Sequence, residues 1–126
     1  MCDQVIRANK LFAGGGEPPL FDHMVVISDG MIQNVAPFVS GSFGGDRVLR
    51  VPVCAPGFID LQINGSGGVF FNDSPDQPTL ARMAIAAAAG GTCHFLPTFI
   101  TAPGTDYELA MMAVAECRLP HVLGLH

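Results

Sequence analysis

The residues best placed by type and spacing to do chemistry lie in Ala55-Pro-Gly-Phe-Ile-Asp-Leu-Gln-Ile-Asn-Gly-Ser-Gly-Gly68. A Pro-Gly break precedes an apolar run and a glycine-rich loop follows it, which is the punctuation of a buried strand. Side chains alternate along a strand, so Asp60, Gln62 and Asn64 share one face while Ile59, Leu61 and Ile63 share the other. Three polar groups inside an apolar segment cost on the order of 1–3 kcal/mol each when buried without partners. A functional cavity accounts for such a face. So does a local role in which Asp60 and Asn64 tie down loop backbone, and both readings stay open here.

Other reactive residue types have bland explanations. Gly65, Gly67 and Gly68 could turn backbone N–H groups toward a phosphate, but the spacing matches neither a dinucleotide fingerprint nor a P-loop, and turn formation is the preferred reading. His94 falls at the start of its expected strand and is read as structural. His23 has no accompanying His, Cys or carboxylate cluster and is read as a surface or hairpin residue. Cys2, Cys54, Cys93 and Cys117 form no C-x-x-C pair, so they suggest neither a zinc site nor a disulfide framework and are read as buried small hydrophobes.

The elements that must position these residues change character along the chain. Residues 1–53 carry signals for short strands: Val5-Ile6, Leu11-Phe12, then Met24 to Ile27 and Met31 to Val35 around Asp29-Gly30, whose positive φ angles suit a tight hairpin. A further strand is expected over residues 47–53 after the loop at 40–45, making a small antiparallel sheet. Residues 54–126 alternate strand and helix. A helix over about 78–89 sets Leu80, Met83, Ala84, Ala87 and Ala88 on one stripe and stops at Gly90-Gly91. A strand is expected over 93–100. A second helix opens with a capping box at Thr105 and Glu108, continues its stripe through Leu109, Met112 and Ala113, has Arg118 near its negative end and stops at Pro120. The helical methionines are read as core filler, and residues 121–126 as a third strand.

That rhythm is the one of parallel βαβ units with right-handed crossovers. Sites in such folds lie at the C-terminal ends of the strands. Gln62 and Asn64, Pro97 and Thr98, and His126 fall at that edge, from three separate strands.

Composition limits the rest. The chain has 126 residues, 49% hydrophobic and 13% charged, with a formal net charge of -5 and a mean hydropathy of +0.40. The charged fraction is about half that of an average soluble domain, which favours a part of something larger. Six scattered Lys and Arg argue against a nucleic-acid surface. No run spans a bilayer and the start lacks a signal peptide's regions, so no membrane role and a cytoplasmic location are expected.

At Ala55-Pro-Gly-Phe-Ile-Asp-Leu-Gln-Ile-Asn-Gly the chain resembles the first barrel strand of the amidohydrolase superfamily, and within it the N-acetylglucosamine-6-phosphate deacetylases. Much of that superfamily shows His-x-His where Gln62-Ile63-Asn64 stands, and the deacetylase branch commonly shows Gln-x-Asn. Gly67-Gly68-Val69 with Phe71-Asn72-Asp73, Phe95-Leu-Pro-Thr-Phe-Ile-Thr101, Leu123-Gly-Leu-His126 and Val26-Ile-Ser-Asp-Gly-Met-Ile32 add to the resemblance, which covers nearly the whole chain.

The resemblance implies an α/β fold: the N-terminal part of a (β/α)8 TIM-type barrel beside a small N-terminal β-sandwich segment. Residues 1–53 would belong to the sandwich, and 54–126 would be three strands and two helices of the barrel. It implies deacetylation of N-acetylglucosamine 6-phosphate to glucosamine 6-phosphate and acetate, with one divalent metal ion, zinc in type, whose ligands lie beyond His126. Gln62, Asn64, Thr98 and His126 would line the active site, with no catalytic residue inside the span. Amides bind zinc less well than imidazole, so Gln62 and Asn64 imply a one-metal site. The partner implied is a phosphorylated amino sugar, and the full-length protein would be a homo-oligomer, a dimer. Three strands cannot close a barrel of about 250 residues, so the span alone is expected to be inactive, to expose apolar faces and to fold poorly or associate. The alternatives are another amidohydrolase, such as a deaminase or cyclic-amide hydrolase, and a non-catalytic truncated binding module.

Overall fold

A computed structural model describes residues 4–43 and 48–126. The readings placed on Cys2, on the loop glycines Gly44 and Gly45, and on Arg47 as a strand start lie outside the described residues. The chain divides into two compact units, Met1–Pro56 and Gly57–His126, and the fold is α/β.

In the first unit, strands β1 (Gln4–Leu11), β2 (Leu20–Ser28), β3 (Met31–Pro37) and β4 (Val48–Cys54) form one sheet in the order β3-β2-β1-β4. Val5-Ile6 and Leu11 belong to a single strand rather than two short ones. The hairpin is where Asp29-Gly30 puts it, with both residues at positive φ, 51° and 70°. The sheet is mixed, which corrects the antiparallel expectation. After β3 the chain returns to the far side of β1, and β4 pairs with it in parallel. Local alternation is the same for either strand direction, so only this return could decide it. Ala8, Leu11 and Val25 are buried here, with Val51 and Cys54 packed on them. Arg7 Nε donates to Asp22 at 2.7 Å. That hydrogen bond holds the exposed Asp22 carboxyl below its ordinary range.

The second unit opens with β5 (Phe58–Ile63), followed by a small hairpin of β6 (Gly65–Ser66) and β7 (Val69–Phe70). Gly67 and Gly68 turn it at φ 66° and 75°, so the glycines do form a turn. A Cβ on Gly67 would stand 3.1 Å from both the Arg82 carbonyl oxygen and the Ala86 Cβ. Helix α1 (Gln77–Ala89) starts at Asp76, whose side chain accepts from Thr79 N at 2.9 Å. Leu80, Met83, Ala84 and Ala87 are buried as their spacing requires, but Ala88 is exposed, because it rotates past the contact stripe.

Strand β8 (Thr92–Pro97) pairs in parallel with β5, with register shifts at Phe58/Ile59 and between Asp60 and Ile63. Helix α2 (Asp106–Glu116) departs from expectation twice. Thr105 makes no side-chain cap; its own carbonyl accepts the Glu108 N–H at 2.9 Å, leaving that donor nothing to gain from the hydroxyl. The buried face is Ala110 and Ala113, while Leu109 and Met112 are 53% and 57% exposed. Small side chains let the helix approach closely, and nothing in this unit covers the larger ones. The methionine reading therefore holds for Met83 and fails for Met111 and Met112. Likewise Cys93 is exposed and Cys54 and Cys117 are half-buried, all as free thiols. Arg118 lies past the C-cap Cys117.

Residues 121–126 form no full strand. A single parallel bridge joins Phe95 to Val122, extended by Phe95 N to His121 O at 2.8 Å, Leu123 N to Phe95 O at 3.1 Å and His126 N to Pro97 O at 3.0 Å. The core is Phe71, Leu80, Met83, Phe95 and the helical alanines, with Ile63, Val122 and Leu125 packed against it. Each large buried side chain contributes about 1.5–3 kcal/mol by transfer from water. On β5, Phe58, Ile59 and Leu61 are 71%, 57% and 64% exposed. No helix among the described residues is long and apolar enough to cross a membrane.

Candidate functional site at the strand ends

Backbone hydrogen bonds gather the residues named from sequence. Thr98 N donates to Ile63 O at 2.9 Å, and Phe99 N to His126 O at 3.1 Å. The ends of β5, β8 and the final extended segment thus meet at one edge, carrying Gln62 and Asn64, Thr98, and His126. Ile63 packs on the helix-side core and pairs with Pro97, and Asn64 and Thr98 each follow that pair by one residue.

Their surroundings differ. Thr98 is 4% exposed. Thr98 Oγ1 and Asn64 Oδ1 are buried and have no hydrogen-bond partner. Gln62 is exposed, which corrects the expectation of a fully buried polar face. Asp60 Oδ1 accepts from Gln62 N at 3.0 Å, so Asp60 has the local backbone role, whereas Asn64 has no such bond. His126 is exposed and lines a cavity of about 300 Å³ with Phe99, Thr101, Tyr107, Met111 and Leu125.

His94 is held by its Nδ1, 3.0 Å from the Pro120 carbonyl oxygen, a geometry that requires Nδ1 to carry the proton. It joins β8 to the segment after α2 and does not reach the strand-end edge. His23 Nδ1 is likewise 2.7 Å from Phe21 O on its own strand.

Sequence reasoning missed a clamp. Asn72 Nδ2 donates to Ile100 O at 2.7 Å, and Ile100 N donates to Asn72 Oδ1 at 2.9 Å. This two-point bond ties the segment after β7 to the one after β8, on both sides of the candidate edge. A half-buried Asn in a loop between Phe71 and Asp73 was the available signal, since Asn side chains mimic backbone turns. A single bond, Gln77 Nε2 to Ala113 O at 2.6 Å, links the two helices.

A structural or catalytic zinc takes three or four N, S or carboxylate donors. Among the described residues no three His, Cys, Asp or Glu side chains come together. Gln62 and Asn64 are amides, and His126 is the one imidazole at the edge. These residues do not fit a metal by themselves. What they offer is hydrogen bonding to neutral oxygen and nitrogen groups.

No family model matches the chain. It is 39% identical over 111 residues to N-acetylglucosamine-6-phosphate deacetylase of Haemophilus influenzae, covering 85% of this chain and 29% of that protein. With N-acetylgalactosamine-6-phosphate deacetylase of a Shewanella species it shares 36% identity over 114 residues, again 85% of this chain and 29% of the relative. The solved N-acetylglucosamine-6-phosphate deacetylase from Pasteurella multocida superposes with a TM-score of 0.74 at 25% identity, over 98% of this chain and 33% of that one. The Mycobacterium smegmatis enzyme shares the fold with a TM-score of 0.70 at 21% identity, over 98% and 34%. The chain therefore spans less than a third of the length of the curated relatives named here.

Proposed function

The chain is a relative of the N-acetylglucosamine-6-phosphate deacetylases, and from that premise we propose that it supplies strands of the active-site edge in an enzyme that hydrolyses the acetamide of an N-acetylhexosamine 6-phosphate. The observation that carries this is the Gln62-x-Asn64 pair at the end of β5, joined through Thr98 N and Ile63 O to the end of β8, inside the stretch shared with the deacetylases.

In the reaction a water oxygen adds to the acetamide carbonyl carbon, the C–N bond breaks and the amine takes a proton, giving the free amino sugar phosphate and acetate. The role given to this chain is positioning. Amide, hydroxyl and imidazole groups at the strand ends orient neutral groups of the sugar by hydrogen bonding, and no residue of the chain is assigned to move the proton. One divalent ion, zinc in type, belongs to the reading as a cofactor held by groups outside this chain; the amides here are not its ligands. The remaining units of a (β/α)8 barrel would cover the apolar faces of β5 and α2, and a β-sandwich would complete the first unit. The enzyme would act as a dimer, in the cytoplasm, because a phosphorylated sugar does not cross a bilayer unaided.

N-acetylglucosamine 6-phosphate is the substrate put first, by the resemblance and the Haemophilus relative. The galactose epimer is the second reading, favoured by the Shewanella relative. The test is acetate release from each sugar phosphate by a polypeptide of the relatives' length that carries this chain. Turnover of neither would overturn the proposal, and the ratio of kcat/KM values selects the epimer. In the same polypeptide, Gln62→His with Asn64→His should raise the bound metal count by one, and an unchanged count would place the pair elsewhere.

A further inference from the structure

We infer that Asn64 and Thr98 form a two-point seat for one neutral O–H group at the C-terminal ends of β5 and β8. Asn64 and Thr98 each follow the Ile63–Pro97 pair by one residue, and Thr98 N donates to Ile63 O at 2.9 Å, which holds the two strand ends side by side. Both bring an oxygen into a buried position with no partner on the protein. Thr98 is 4% exposed, so its hydroxyl has no access to bulk solvent.

A buried hydroxyl and a buried amide oxygen left unpaired are each destabilising, and native structures satisfy such groups in the great majority of cases. The inventory of the two side chains defines the occupant. Asn64 Oδ1 only accepts, whereas Thr98 Oγ1 both accepts and donates. A group with one O–H or N–H for Asn64, and a second proton or a lone pair for Thr98, satisfies both. A cation is a poor occupant, because two neutral oxygens fall far short of the six to eight oxygen ligands, carboxylates among them, that a hard divalent ion takes. An ordered water meets the requirement, and so does a sugar hydroxyl; an acetamide N–H does not, since it has one proton and no free lone pair at nitrogen. The sugar as a source rests on the proposed function; the seat itself does not.

The test uses a polypeptide of the relatives' length that carries this chain, with a labelled Thr98 methyl. The nuclear Overhauser contact of that methyl with exchanging solvent is read before and after addition of millimolar N-acetylglucosamine 6-phosphate. Thermal unfolding of Thr98→Val and Thr98→Ser is followed in parallel. A filled seat predicts a water contact, a drop of about 3 °C in the midpoint for Thr98→Val, and recovery of at least half of that drop in Thr98→Ser. Replacement of the water contact by a contact to the sugar identifies the sugar as the occupant. Persistence of the water contact leaves the seat standing as a hydration site and counts against the functional reading at this position. A Thr98→Val chain as stable as the parent or more stable, with no methyl contact to water or sugar, overturns the proposal. If the Val variant does not fold, the parent chain decides alone: no contact under either condition overturns it.

Discussion

In the unit Met1–Pro56, polar side chains around the sheet find partners at its surface. Arg7 bonds Asp22 at 2.7 Å and lies 4.3 Å from the Phe38 ring centroid, and Gln33 reaches Ser28 O at 3.3 Å. In the unit Gly57–His126 the pattern reverses. The buried side-chain atoms that lack partners among the described residues, Asn64 Oδ1, Thr98 Oγ1 and His121 Nδ1, all fall there, and so do the exposed Phe58, Leu61, Met111 and Met112. A sheet whose polar groups are already paired behaves as scaffold. A unit that keeps unpaired acceptors at its strand ends retains a capacity to bind, at some cost to its own stability.

The contrast can be broken most forcefully at the core of the second unit. Phe95→Ala, at a fully buried position, should cost about 3–5 kcal/mol and should abolish slow amide exchange in β8 and α1 while the β1–β2 amides keep theirs. Equal loss in both units would show that they unfold together and that the contrast is not one of independent parts.

Asn72→Ala comes next. It removes both bonds to Ile100 and leaves a backbone N–H and C=O to find other partners, about 1–3 kcal/mol. Faster exchange should be confined to the Ile100 amide and its neighbours; an unchanged Ile100 amide would mean that the clamp does not hold the edge.

The two helix starts sharpen the comparison within the second unit. Asp76→Ala should cost about 1 kcal/mol in urea unfolding because its carboxylate caps Thr79 N. Thr105→Ala should change stability by no more than a few tenths, since its hydroxyl caps nothing. Equal losses would contradict the geometry.

The smallest effect belongs to the first unit. Asp22 has its carboxyl lowered chiefly by the Arg7 hydrogen bond. Its contribution to stability is therefore present above the unfolded value of about 3.9 and fades as pH falls through the lower folded value. Arg7→Gln should move the Asp22 titration, followed by NMR, back up toward the ordinary range and remove that slope. The position of Asp22 at the surface keeps the consequence slight.

Features closed within a few residues were legible in the chain itself. Asp29-Gly30 and Gly67-Gly68 dictate tight turns because both central residues need positive φ, and the spacing of Leu80, Met83, Ala84 and Ala87 dictates the buried stripe of α1. The edge that collects Gln62, Asn64, Thr98 and His126 followed from the βαβ rhythm. Tertiary structure alone decided that β4 runs parallel to β1, that α2 buries Ala110 and Ala113 instead of Leu109 and Met112, and that Gln62 faces solvent while Thr98 is enclosed. Periodicity gives the faces of an element but not which neighbour arrives to cover them. That depends on long-range return of the chain, whose free energy is set by the whole packing and not by any local run of residues.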